Sequence, residues 1–336
     1  NKWLEVRSAT KVPHLIRNYK MHEQKDFFEY AIEKQNIVER ISNYNKQHCW
    51  QYDIRLKNYE HDLSVVNLNK KDIEKIKVTD FEFLYVDAKN KSECAKIKQF
   101  IERHEWLGKM PNRPTHRFIA MYKKSIVGAI VMATPNAFSN ILGKEQQNKE
   151  KLISRGACIS WSPTNTASWL LMKSITWMIN NTEYRIFTAY SDVEAKELGT
   201  IYQACNFYYL GQNFGAQNMY LDPKNKNRGW FSDREFRKQS KYRLYAAHLG
   251  IAGNEFDKYL GKWTPKWDLM PPGMKTAIKK EEQRYRQSCL VRKVKPKHKY
   301  AYIKGINKKE TKQLKKLFFE NNLNLDVFNY PKERGV

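Results

Sequence analysis

Between Arg185 and Gly211 the chain reads RIFTAYSDVEAKELGTIYQACNFYYLG, the stretch that the rest of the chain is arranged to serve. Ile186, Phe187 and Ala189 form an apolar, β-prone run that turns sharply polar at Tyr190-Ser191-Asp192. Gly199 then leads into a short amphipathic segment, Ile201-Tyr202-Gln203-Ala204, and Phe207 to Leu210 leaves as a second aromatic strand. A strand ending in a polar cluster, then a helix, then another strand, is a common way to build a site at a sheet edge.

The flanking segments supply the rest of such a sheet. Phe81 to Val86 predicts a strand, and Ser92 to about His104 a helix with Ser92 as its N-cap. His116–Tyr122 and Ile126–Met132 are apolar runs joined by Lys123-Lys124-Ser125, the pattern of a hairpin at the heart of the sheet. Leu152 to Trp161 predicts a further strand. Residues 166–181, with Leu170, Leu171, Ile175 and Met178, predict the clearest helix, capped by Thr164 or Asn165. Strand, helix, three strands, helix, strand, helix, strand is an α/β (α+β) pattern with a mixed sheet, and it resembles the GNAT acyltransferase order.

On either side of this core the chain is basic and helical. Residues 21–43 and 45–65 carry apolar positions at helical spacing, so 1–79 is expected to form a basic helical extension outside the core, which spans 80–228. From 229 to 336 helices are expected at 233–248, 273–288 and 308–320, with a strand at Lys299–Ile303. Residues 233–334 hold 26 Lys/Arg against 11 Asp/Glu, the pattern of a basic nucleic-acid-binding extension. The whole chain carries a net charge of +26, which attracts polyanions. With no apolar run near the roughly 18–20 residues that span a bilayer, nucleic acid is the expected partner rather than a membrane. The five cysteines are scattered and lack a C-x-x-C pair, which fits a reducing cytoplasm and predicts neither zinc nor disulfides.

Three spaced clusters resemble the phage Mom family, proteins that modify adenine in DNA to shield it from restriction on a GNAT-like fold. They are Leu152-Ile153-Ser154-Arg155; Asn165-Thr166-Ala167-Ser168; and Tyr190-Ser191-Asp192 followed by Gly199–Ala204, Asn206-Phe207 and Tyr209-Leu210-Gly211. His104-Glu105-Trp106 with Met110-Pro111 is similar to an upstream segment of the family, and the stretch around Lys297–Tyr300 and Tyr330-Pro331-Lys332 to extensions of its larger members. The resemblance implies transfer of an acyl-type group to the N6 amine of adenine. It carries the family's functional arginine to Arg155, its helix-start serine to Ser168, its acidic residue to Asp192 and its tyrosine to Tyr202, and extends to His104, which suits either a proton shuttle or an ordinary helix-end histidine.

The chemistry asks for such groups. The N6 lone pair is delocalised into the ring, so the amine must be held, relieved of a proton and matched by oxyanion stabilisation. Asp192 suits a general base or a turn aspartate, and Tyr202 an acid or a core tyrosine. Ser168 and Asn165 could hold a donor at the helix start, and Arg155 an anionic group. Trp161, Tyr208 and Tyr209 could stack on a flipped base, while Lys297, Lys299, Lys308, Lys309 and Lys312 would contact phosphates. The segment before the helix, Ser162–Ser168, lacks the glycines with which GNAT enzymes hold acetyl-CoA, so an aminoacyl-tRNA or a metabolite is an equal donor candidate. An acetyltransferase acting on RNA or ribosomal protein, or an inactive DNA-binding relative, fits the same residues.

Overall fold

The computed structural model describes residues 49–212, 218–262, 264–323, 325–327 and 329–332; the helix expected at 21–43 lies outside them. Helix α1 (Trp50–Val66) comes first, ended by Asn67 in the left-handed region at φ 50°. The short α2 (Lys70–Lys75) opens with a capping box between Asn69 and Asp72. Strand β1 (Glu82–Val86) follows, then α3 (Lys91–His104). Asn90, not the expected Ser92, caps α3, accepting the Glu93 amide at 3.1 Å.

The hairpin is β2 (Pro114–Tyr122) and β3 (Ser125–Ala133). Lys123 and Lys124 both take positive φ, as a two-residue turn between twisted strands requires. Next come β4 (Glu150–Cys158), α4 (Thr166–Asn181), β5 (Ile186–Ser191), α5 (Thr200–Ala204) and β6 (Tyr208–Tyr209). The element order expected for the core is therefore present from β1 to β6. The next segment holds β7 (Asn218–Leu221), β8 (Phe231–Ser232), α6 (Gln239–His248), α7 (Gly253–Asp257), α8 (Pro272–Ser288) and β9 (Leu290–Lys293). The chain closes with β10 (His298–Ile303) and α9 (Lys308–Asn321).

The seven-stranded mixed sheet runs β1-β2-β3-β4-β5-β10-β6, flanked by helices. Its neighbours are antiparallel except β4 and β5, which are parallel. The chain forms two compact units, Asn1–Gln212 with His298–Val336, and Asn213–Lys297. Two features of the described residues bear on this division. Tyr59 and Leu63 of α1 are buried in the same apolar core as Ile97, Phe118 and Leu170, so this helix is no appendage. And β10, from the expected C-terminal extension, inserts between β5 and β6, with Tyr300 and Ala301 fully buried.

α1 enters that core through a carboxylate. Asp62, 1% exposed, accepts His104 Nε2 at 2.8 Å and the Ser160 amide at 2.9 Å, while its carbonyl accepts Trp161 Nε1 at 3.0 Å. Burial alone would raise the Asp62 pKa, but its bonds to His104 and Ser160 outweigh that and hold it below the ordinary value. Asp62→Ala leaves a buried imidazole and amide unpaired, so it is expected to lower stability by about 3–5 kcal/mol. A urea midpoint equal to wild type would show that the contact is dispensable.

Candidate active site

Parallel pairing between β4 and β5 covers only Glu150–Ile153 opposite Ile186–Ala189. Beyond it β4 stays with β3 as far as Cys158, while Tyr190 and Ser191 of β5 pair with Lys299 and His298 of β10. The two strands thus stop pairing before their C-terminal ends, where the loops after α3, β4 and β5 gather. Arg155 leaves β4 here. Its Nε donates to the Lys109 carbonyl at 2.8 Å and lies 3.8 Å from the Glu105 carboxylate, so it holds the loop after α3.

The turn after β5 is built on Asp192. Its Oδ1 accepts the Glu194 amide at 3.0 Å, and its carbonyl accepts the Ala195 and Glu197 amides. Its own amide donates to Glu197 Oε2 at 3.2 Å, which folds the Glu197 side chain back toward the strand end. Gly199 makes the exit to α5 possible. It sits at φ 68°, and a Cβ there would lie 2.5 Å from the Tyr300 ring.

Glu197 is the residue that the sequence did not single out. Burial pushes its pKa up from 4.5 to about 7; the Asp192 amide opposes that, the Glu105 and Asp192 carboxylates add to it, and a Trp106 hydrogen bond opposes it again. Tyr202 belongs to the same group. Burial raises its pKa first, and Glu197 and Glu105 raise it further, so the phenol stays protonated. Its ring packs 5.3 Å from Phe207 and 5.4 Å from Tyr300. The only hint of Glu197 in the sequence is its position five residues past Asp192, which the turn converts into contact.

Of the expected site residues, the structure links Arg155, Asp192 and Tyr202 through Glu105 and Glu197. Ser168 lies in the first turn of α4, its Oγ donating to the Asn165 carbonyl at 3.1 Å and its carbonyl 3.9 Å from Cys205 Sγ at the end of α5. Asn165 makes no side-chain cap. His104 does not fit a proton shuttle: it is buried, with Nδ1 on the Phe100 carbonyl at 3.0 Å and Nε2 on Asp62. Trp161 is 1% exposed and Tyr208 stacks on Phe318 at 4.8 Å, so both are core rings rather than stacking platforms. Tyr209 donates to or accepts from His298 Nδ1 at 2.8 Å.

Lys299 is likewise misplaced for phosphate contact. It is 3% exposed within the sheet, its ammonium 5.4 Å from the Tyr190 ring, and burial lowers its pKa against the pull of Glu150. Lys308, Lys309 and Lys312 are exposed on α9, and Lys297 immediately precedes β10. Among the described residues no group of three or more His, Cys, Asp and Glu is placed to hold a metal, and no helix is long and apolar enough to cross a membrane.

The acetyl-CoA that the GNAT resemblance implies has a diphosphate that needs converging backbone amides. Before α4, Pro163 has no N–H, the Ser162 amide bonds to the Ile159 carbonyl and the Thr166 amide to the Pro163 carbonyl, and Ser162–Ser168 holds no glycine to let a phosphate approach the backbone closely.

A mixed α/β protein with carboxyls, a protonated phenol and an arginine gathered where two parallel strands cease to pair has the make-up of an acid–base site. The chain belongs to the Mom protein family, whose model matches residues 90–259. No curated protein matches it. Among solved structures it is similar to a tandem GNAT protein from the clavulanic acid biosynthesis pathway (without AcCoA), at 10% identity and a TM-score of 0.32. That match takes in 62% of this chain and 66% of the other, just under two thirds of its length.

The Glu197 shift sets a pH dependence of stability. Because the folded pKa is raised, the folded state binds more protons than the unfolded one between pH 4.5 and about 7. Stability from this group is therefore full below pH 4.5 and falls as the pH rises to about 7. Glu197→Gln is expected to remove that slope and to gain on the order of 1–3 kcal/mol at pH 8. Parallel wild-type and variant stability curves across pH 4–8 would place the raised pKa elsewhere.

Proposed function

We propose that this protein is a DNA-modifying transferase that places an acyl-type, carbamoylmethyl- or glycinamide-like group on the N6 amine of adenine. What supports this reading is the turn after β5, where the Asp192 amide holds the Glu197 carboxyl at 3.2 Å; burial pushes that carboxyl up to about 7, and its charge helps to keep the Tyr202 phenol protonated. Family membership gives the DNA context, and the net charge of +26 suits a polyanionic substrate. Exposed Lys308, Lys309 and Lys312 would meet phosphates, which position a duplex without reading its sequence.

In this mechanism the N6 nitrogen attacks the donor carbon as Glu197 removes one of its protons. The Tyr202 hydroxyl donates a hydrogen bond to the carbonyl oxygen that gains charge; as that carbonyl re-forms, the bond from the donor carbon to the leaving atom breaks and the leaving atom takes the proton back from Glu197. Asp192 acts through Glu197: its amide fixes the carboxyl, and its own charge raises the Glu197 pKa. Arg155 holds the Glu105 loop in place. Coenzyme A is the less favoured carrier, because the segment before α4 lacks the glycines that would let a diphosphate approach its backbone. An aminoacyl-tRNA or a small activated metabolite remains the donor class.

Nucleoside mass spectrometry of DNA from cells expressing the protein is expected to show an N6-substituted adenine. Unmodified adenine would reject the reading, and acetylated RNA or ribosomal protein in the same cells would favour the acetyltransferase alternative. Glu197→Gln is expected to lower modification by about 10²-fold or more. Asp192→Asn is expected to move the acidic limb of the rate–pH profile below 7 by removing a like charge. An unmoved limb in Asp192→Asn would separate Asp192 from Glu197.

A further inference from the structure

The unit Asn213–Lys297 carries a small sheet in the order β8-β7-β9. Its two faces differ. Tyr220 and Phe231 point into an apolar cluster with Phe236 and Cys289. Their neighbours in the alternation point the other way. Met219 pairs with Ser232 on one side and Arg292 on the other, and Leu221 pairs with Leu290, so these residues share the outer face. Trp230 has the same parity as Ser232, and the Arg292 guanidinium reaches across the sheet to lie 5.2 Å from its ring.

That outer face is open along its β9 edge. Leu290 is 53% exposed and Trp230 38%, and Arg292 is exposed with them, while Met219 and Leu221 of the central strand are half-buried. An exposed aromatic and aliphatic edge calls for an occupant. The charge around it selects which one. The unit holds 20 Lys/Arg against eight Asp/Glu within 85 residues. Lys224 and Lys226 stand exposed in the β7–β8 turn, and Lys293 ends β9. An apolar protein partner would gain nothing from this excess, whereas a strand of nucleic acid offers both phosphates for the lysines and a π-face for Trp230.

We propose that the outer face of this three-stranded sheet binds single-stranded DNA, with one base stacked on Trp230 and the backbone held by Arg292 and the surrounding lysines. Duplex DNA keeps its bases stacked inside and cannot use the ring; an unpaired strand can. The proposal rests on the DNA reading above, since an enzyme that acts on a base must work on unpaired or flipped nucleotides.

The test is fluorescence anisotropy of labelled oligonucleotides of about 12 nucleotides with the full-length protein, as single-stranded DNA, duplex DNA and single-stranded RNA of one sequence. Wild type is expected to prefer single-stranded DNA. Trp230→Ala and Arg292→Gln are each expected to weaken it about 10-fold or more while leaving duplex affinity nearly unchanged. Thermal melts confirm that both variants fold, and Trp230→Phe, which keeps a π-face, is expected to restore most of the affinity. Unchanged single-strand affinity in the Ala and Gln variants, or tighter binding of RNA than DNA, would overturn the proposal. Nucleoside mass spectrometry in the same strains separates the two readings. Variant-sensitive DNA binding with unmodified adenine supports this surface and rejects the adenine reaction, whereas modified adenine with variant-insensitive binding does the reverse.

Discussion

The buried Asp62 is the contact on which the end of the sheet that carries the candidate site depends. Its carboxylate binds His104, the last residue of α3, and the Ser160 amide just past β4, and its main-chain carbonyl accepts Trp161 Nε1, so one residue fixes the exits of two core elements. The rest of α1 repeats this. Gln51 donates to the His104 carbonyl at 2.6 Å and accepts the Trp106 amide at 3.1 Å, and Arg55 donates to the Ser160 carbonyl at 2.7 Å. The Trp50 amide reaches the Ala195 carbonyl at 3.2 Å. A single helix thereby sets the loops that carry Glu105, Trp106 and the Asp192–Glu197 turn. A helix anchored in the core gives such loops fixed positions.

From that support follows the electrostatic character of the site. Glu105, Asp192 and Glu197 are three acidic side chains drawn close in a partly buried place. Burial and the charges of the other two act together on Glu197 and push its pKa up to about 7. Arg155, 3.8 Å from Glu105, eases the crowding there. Tyr202 gains from the same crowding, since neighbouring negative charge disfavours a phenolate and preserves a donor.

Much of the sheet was legible in the sequence, because β2, β3 and β5 are continuous apolar runs and α4 has a strong helical period. The site was half legible. Arg155, Asp192 and Tyr202 sit at strand ends or in the helix after one, where motif spacing registers. Glu197 could not be found that way: in Glu194-Ala195-Lys196-Glu197 it looks like one more solvated acid, and only the turn closed by Asp192 turns it inward. Asp62 and His104 failed for a related reason. A polar residue on a helix is normally solvated, and its partner 42 positions away has no local signature. The place of β10 was hidden by topology. A strand was expected at Lys299–Ile303, but nothing local says that it pairs with β5 across an 85-residue excursion.

The basic surface and the acidic site are independent features. A net charge of +26 spread over the surface ought to favour ionised carboxylates and so lower their pKa values. Charges at the surface, however, are screened over about 8–10 Å in ordinary salt, while a buried group answers mainly to its neighbours and its lost hydration. The Glu197 shift has those local causes, burial first and the Glu105 and Asp192 charges after it. Raising the salt should therefore screen the cationic surface long before it changes the protonation of Glu197. Surface charge and the Glu197 carboxyl act over different distances, and that separation lets a strongly cationic chain hold a carboxyl well above its ordinary pKa.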